Sequence, residues 1–298
     1  MQTKHFVLFA FVLGADRRIV NGTDASILDY PFMISLRGGT GGHSCGGSIL
    51  SELWILTAAH CVGATTVFLQ TVQVGRTVIS REVDDSVYSI VEVISHPGYD
   101  SRTSHINDIA LLKLERPLVF SESVAPVRLP ADLFEVEDDL TDLGVTLIGW
   151  GLTATGGVAP STLQSVDYYV VPNEECNAIH SSTIYPSQIC AAIPGGGKGQ
   201  CSGDSGGPLL HHGIQVGIVS WSIKPCAVAP YPGVLTKVSH HLEFIREHTV
   251  WAYRGPPDSR YHPSSNALFT RRSATLQSAG LAGPSEVWLP VLAHASQL

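Results

Sequence analysis

The sequence is short of the features that mark several protein classes. No uninterrupted apolar run approaches the ~18 residues that a membrane helix needs, no C-x-x-C pair occurs, and no segment repeats. Charged residues make up only 15% of the 298 positions while 44% are apolar, a balance that excludes disorder of the whole chain and suits a filled globular core. Cations are the scarcer charge, 18 Lys and Arg against 26 Asp and Glu, for a net −8. Removing residues 1–18 takes away Lys4, Arg17, Arg18 and Asp16 and leaves −10. Nucleic acid is therefore not expected as a partner.

The chain begins with Lys4, the apolar run Phe6-Val7-Leu8-Phe9-Ala10-Phe11-Val12-Leu13 and the small pair Gly14-Ala15. Residues 1–15 read as a secretory signal peptide, too short to span a bilayer, so a secreted protein with no membrane partner is expected. The alternative for this stretch is a disordered apolar terminus. Six cysteines, an even number in a chain that reads as exported, argue for disulfides rather than a metal. The sequence itself leaves their pairing open.

Short alternating or apolar runs punctuated by Gly, Pro and Asn recur at 32–36, 48–50, 54–56, 86–94, 109–114, 145–148, 165–171, 214–220 and 233–238. They predict strands, and with hardly any helical periodicity they point to an all-β barrel or sandwich architecture. One late helix is expected from Ser239, as N-cap, through Leu242, Phe244 and Ile245 towards His248. After about Arg254 the composition shifts, and residues 255–298 read as a disordered tail or gene-model extension. A tail that docks on a partner is the other reading.

Three segments carry chemistry. Gly203-Asp204-Ser205-Gly206-Gly207-Pro208 holds a G-x-S-x-G string, Thr57-Ala58-Ala59-His60-Cys61 a histidine, and Asn107-Asp108-Ile109-Ala110-Leu111-Leu112 an aspartate. A serine is a poor nucleophile at its own pKa and needs a base within hydrogen-bond reach. His60 can be that base and Asp108 its orienting carboxylate. The string alone is weak, since α/β-hydrolase esterases carry it too. Those enzymes run Ser, Asp or Glu, then His, whereas this chain runs His60, Asp108, Ser205. Singly, the three residues also read as a turn serine, a core histidine and a capping aspartate.

From about residue 19 to 249 the chain resembles the trypsin/chymotrypsin-like serine endopeptidases. The likeness is strengthened by Arg18-Ile19-Val20-Asn21-Gly22, Cys45-Gly46-Gly47-Ser48, Ser220-Trp221 and Pro232-Gly233-Val234. The resemblance implies two six-stranded antiparallel β-barrels, about 19–130 and 131–238, followed by the C-terminal helix. His60 and Asp108 would come from the first barrel and Ser205 from the second. It also implies disulfides Cys45–Cys61, Cys176–Cys190 and Cys201–Cys226, worth roughly 3 kcal/mol each in the chain-entropy model. The N–H groups of Gly203 and Ser205 would form an oxyanion hole, where one donor is worth about 10²–10³ in rate. Residues 16–18 would be a short activation propeptide, so the chain is expected to be a zymogen. Cleavage after Arg18 by a trypsin-like activating protease would free the ammonium of Ile19 to pair with Asp204. Asn21-Gly22-Thr23, the one N-glycosylation sequon, lies beside that cut and is expected to stay unmodified.

By the same match Gly199 stands where trypsins carry the carboxylate that receives Arg or Lys, so a substrate cation would lack its partner charge. Gly233 leaves one pocket wall open, Ser222 replaces a residue usually Gly, and Gln200 sets an uncharged amide near the floor. With Ser220 and Trp221 as walls, the pocket is expected to be neutral, favouring Tyr, Phe, Leu or Met at P1, with an elastase-like preference for smaller apolar residues second. Protein or peptide substrates, protein protease inhibitors and a monomeric state are expected, and no cofactor. Adjacent His211-His212 and His240-His241 are expected to point to opposite faces, as neighbours in a strand do, and so to be poor joint ligands. Arg76 and Arg81 crowd the segment 75–85 against calcium, so no metal is expected. The short pro-piece and six cysteines resemble arthropod digestive proteases. A non-catalytic secreted binding protein on the same fold and a serine esterase remain as alternatives.

Overall fold

The computed structural model describes residues 20–63, 69–130 and 143–249. The expected signal peptide, the activation residues Arg18 and Ile19, and the expected tail 255–298 lie outside them. Runs rich in Val, Ile and Leu form thirteen strands among the described residues, starting with the two-residue β1 (Thr23–Asp24). Six then close into a barrel: β2 (Met33–Arg37), β3 (His43–Ile49), β4 (Trp54–Thr57), β5 (Thr71–Val74), β6 (Val87–Ser95) and β7 (Ala110–Leu114), in the order β2-β3-β4-β7-β6-β5. The second set is β8 (Gly144–Gly149), β9 (Gln164–Val171), β10 (Gln188–Ala192), β11 (Pro208–His211), β12 (Ile214–Trp221) and β13 (Gly233–Lys237). Because β8 pairs with both β9 and β11, this sheet closes as well, and β1 joins the edge of β9. All strand pairs are antiparallel, and closure leaves no long unpaired edge.

The first barrel's core is continuous with Ile148, Trp150, Leu210 and Ile218 of the second half and with Phe244 and Ile245 near the C-terminus. Apolar packing therefore fixes one barrel against the other, and the segments that meet there are held from both sides. The second barrel has its own core of Val145, Leu147, Val166, Tyr168, Leu209 and Leu235, among others.

Two α-helices occur among the described residues. The late one differs from expectation at its start. The chain leaves β13 through a 3₁₀ turn, Val238–His241, before the helix Leu242–His248, so Ser239 lies inside the turn and caps nothing. A helix at Asn173–His180 was not expected. Cys176 is its only buried residue, and one apolar contact leaves no helical period to read. The structure forms Cys45–Cys61, Cys176–Cys190 and Cys201–Cys226, with no free cysteine.

Candidate active site

Strand register brings His60 and Asp108 together. His60 sits on a single 3₁₀ turn, Ala59–Cys61, just after β4, while Asp108 lies two residues before β7. β4 and β7 pair with Thr57 opposite Ala110, so both side chains emerge at one end of the barrel. The Cys45–Cys61 disulfide pins the turn to β3. His60 Nδ1 lies 2.7 Å from Asp108 Oδ2, and the His60 backbone N–H donates to Oδ1 at 2.9 Å. The Ser220 hydroxyl donates to the same Oδ2. Ser220, expected as a pocket wall, thus turns its side chain to the buried carboxylate.

Burial pushes the Asp108 carboxyl up, but the hydrogen bond and charge of His60 and the Ser220 hydroxyl outweigh it, leaving the group below the usual carboxylate range. An ionised carboxylate only accepts, so the tautomer of a neutral His60 ring that this contact requires has its proton on Nδ1 and its lone pair on Nε2.

Ser205 lies in a tight loop ahead of β11. Gly46 of β3 donates to the Ser205 carbonyl at 2.7 Å, and Thr57, at the end of β4, donates to the Gly46 carbonyl at 2.9 Å. The serine loop is thereby bolted to the strand ends that lead to His60. Gly203 has φ +99, and a Cβ there would lie 3.1 Å from the Gly151 Cα, so both conformation and close approach require glycine. Among the described residues the N–H groups of Gly203 and Ser205 donate to no protein group, whereas Asp204, Gly206 and Gly207 all do. Ser205 Oγ makes no hydrogen bond to His60, a contact that in unliganded sites often forms only when substrate arrives.

Asp204 is fully buried and accepts from the N–H groups of Gly151 (2.8 Å) and Cys201 (2.9 Å), with no ion pair among the described residues. Burial raises its pKa to about 7 against those two hydrogen bonds and the charge of Lys224. Behind Gly203 stands His43, whose ring bridges Ser35 Oγ (2.8 Å) and the Gly203 carbonyl (2.9 Å). Burial lowers His43 to about 4 against the Gly203 bond, so the ring is neutral. Neither Ser35 nor His43 was singled out from the sequence, where nothing links two strand residues to a loop 160 positions away.

Gly199, Gln200, Ser222 and Gly233 line one cavity of about 20 Å³, whose lining holds no Asp or Glu. The open wall expected at Gly233 is not empty. The Gln200 carboxamide lies across it, so that a Cβ on Gly233 would meet Gln200 Oε1 at 2.7 Å. Gln200 Nε2 donates to the Trp221 carbonyl at 2.8 Å, and its buried Oε1 has no partner among the described residues. Lys198 lines the same cavity, and Lys224 bonds Ser202 Oγ at 3.2 Å. Asn21 donates its Nδ2 to the Gly197 carbonyl at 2.7 Å.

The neighbouring histidine pairs depart from expectation as well. The rings of His211 and His212 touch at 4.2 Å instead of facing apart, because the chain leaves β11 and His212 turns with φ +48. His105 packs edge to face on His60 with ring centroids 5.9 Å apart, a neighbour that the sequence did not point to.

A family profile described as Trypsin matches residues 19–245. A trypsin of Phaedon cochleariae is 40% identical over 235 residues, covering 78% of this chain and 88% of that protein. The vitellin-degrading protease of Bombyx mori is 39% identical over 238 residues, 78% of this chain and 86% of its own, and trypsin-1 of Astacus astacus 37% over 247, 78% and 100%. With the two barrels and the His60–Asp108 pair in place, the chain belongs to the trypsin family of serine endopeptidases.

Proposed function

We propose that His60, Asp108 and Ser205 are base, orienting carboxylate and nucleophile, and that the chain is a secreted zymogen whose mature enzyme cuts after uncharged residues. The observation that carries the chemistry is the pair of unused donors: the N–H groups of Gly203 and Ser205 flank the proposed nucleophile and serve nothing else among the described residues. Gly203 and Ser205 are only half-buried, so these donors are open to an incoming ligand, and a developing oxyanion is the ligand that this position would serve. Ser205 Oγ would attack the scissile carbonyl as His60 Nε2 takes its proton. His60, held by Asp108, would then return that proton to the leaving amine, and water would repeat the sequence on the acyl-enzyme.

Activation would follow from the buried Asp204. A free ammonium at Ile19, released by cleavage after Arg18, is the cation that this carboxylate lacks among the described residues. The activator would be a protease that prefers Arg. The hydrogen bond from Asn21 Nδ2 to the Gly197 carbonyl supports an unglycosylated Asn21. No described helix is long and apolar enough to cross a membrane.

The P1 reading rests on a cavity without an acid. An Arg or Lys side chain buried there would have no countercharge. Tyr, Phe, Leu or Met is the preference carried by a mostly apolar lining whose one charged residue is Lys198. The Gln200 amide across Gly233 favours the second reading, smaller apolar side chains, unless substrate displaces it.

The test is to treat the full-length chain with trypsin, verify a new N-terminus at Ile19, and assay peptides ending in Phe, Leu, Ala and Arg beside Ser205→Ala. Turnover of the neutral peptides that vanishes in the variant is the expected result. Preferred cleavage after Arg would refute the pocket argument. No turnover with the correct N-terminus would favour the binding-protein alternative.

A further inference from the structure

We propose that His60 and His105 form a binding site for a zinc-like divalent transition ion, which inhibits the enzyme by occupying the nitrogen that must take the proton of Ser205. The inhibitory part rests on the reading of His60 as the base.

A ring nitrogen of His60, a ring nitrogen of His105 and a carboxylate oxygen of Asp108 all lie within 4.8 Å of one another. Both rings are already oriented as metal ligands are. Histidines that bind metals typically give their other ring N–H to a carboxylate, carbonyl or similar acceptor, which fixes the tautomer and aims the ligand nitrogen. His60 Nδ1 is engaged by Asp108 at 2.7 Å, and His105 Nδ1 by the Tyr99 hydroxyl at 3.3 Å. With the Tyr99 hydroxyl accepting from His105 Nδ1, Nε2 is the proposed ligand atom of each ring; that of His60 lies 3.8 Å from Cys61 Sγ. Burial, then the charges of Asp108 and Asp100, push the Tyr99 phenol up to about 12, so it remains neutral. Asp108 is a supporting group here and not a ligand, since its oxygens already accept from the His60 N–H, His60 Nδ1 and Ser220 Oγ.

The backbone holds His105 in place. The Ser104 carbonyl accepts from Gln188 Nε2 at 2.7 Å and from Trp221 Nε1 at 3.0 Å, both from the second barrel. Ser104, His105 and Asn107 have φ of 48°, 52° and 55°, left-handed values that are unfavourable for such residues and persist only where the surroundings enforce them. Two imidazole nitrogens on a tetrahedral ion, each ~2.0–2.1 Å from it, stand closer together than 4.8 Å. On binding, the half-buried His105 ring would turn towards His60 to bring the two nitrogens to that spacing. Water completes the shell. Imidazole pairs suit zinc, copper and nickel, whereas calcium and magnesium prefer oxygen.

The test titrates zinc chloride into full-length Ser205→Ala protein by calorimetry, and separately into the activated wild-type enzyme during peptide turnover. The expected results are one zinc bound and reversible inhibition relieved by chelator, with no effect of calcium or magnesium. His105→Ala and the milder His105→Gln should each weaken zinc binding at least tenfold, and Tyr99→Phe about tenfold, as for loss of a supporting partner. Absence of binding, or binding unchanged in His105→Ala, overturns the site. Zinc binding that is lost in His105→Ala, in a protein that turns over no peptide, supports the site and refutes the protease reading instead.

Discussion

Asp204 carries a penalty that cleavage should remove, and its size follows from the geometry. In the uncut chain the carboxyl is fully buried, with two backbone donors and no ion pair among the described residues, and its pKa is raised by burial from 3.8 to about 7. A group with a folded pKa above its unfolded value contributes stability below the unfolded pKa and loses it as pH rises through the folded one. Between pH 4 and 8 the shift amounts to about 4 kcal/mol, at ~1.4 kcal/mol per unit. An ammonium from Ile19 beside Asp204 would pull the pKa back down and abolish most of that loss. The experiment compares thermal and urea midpoints from pH 4 to 8.5 for an Arg18→Gln precursor and for the processed enzyme. The main difference between the two forms in this range is Asp204 and its Ile19 ammonium partner, so the difference between the two curves reports that pair. The precursor should lose stability with rising pH relative to the processed form, by a few kcal/mol at pH 8. Asp204→Asn forfeits one acceptor, worth ~1–3 kcal/mol, but should flatten that pH-dependent difference and leave the processed chain inactive. Superimposable curves for precursor and processed enzyme would refute the assignment.

Ser220→Ala removes a hydrogen bond that holds the Asp108 pKa down. The acid limb of the pH–rate profile should therefore move to higher pH, with the plateau above it largely kept; an unmoved limb would show that the hydroxyl does not act through Asp108. Gln200→Ala clears the space over Gly233, and the preference for Phe over Ala peptides, read as a ratio of kcat/KM, should rise at least tenfold, a step typical of pocket volume changes. His43 is lowered to about 4, so its neutral ring contributes stability above about pH 6.5 that is lost as pH falls towards 4. His43→Gln should flatten the acid side of the stability curve, and acid denaturation followed by fluorescence tests this.

The residues proposed for the chemistry are legible because their neighbours are constrained too. His60 follows a buried strand and precedes a cysteine of a disulfide, and Asp108 precedes the apolar strand that pairs with it. β4 and β7 could be read from their apolar runs. β10 and β11 could not, because Gln188-Ile189-Cys190-Ala191-Ala192 and Pro208-Leu209-Leu210-His211 are too short to display a period.

What stayed hidden is of two physical kinds. Contacts between distant positions have no local signal: Ser220 reaches Asp108 across 112 residues, and His43 reaches the Gly203 carbonyl across 160. Backbone groups have no letter of their own. Glycine at 203 could be read as a need for close approach, but that its N–H and that of Ser205 remain unused among the described residues emerges only when the backbone donors around them are followed to their acceptors. Gln200 combines both limits. Its type announces a neutral pocket, while its conformation, set by the Trp221 carbonyl on one side and the bare Cα of Gly233 on the other, governs how much of that pocket a substrate can enter. On the proposed reading of the pocket, specificity would turn on whether one amide rotates, and a structure with a Phe-terminated peptide aldehyde bound to Ser205 would answer it by the position of Gln200 Oε1.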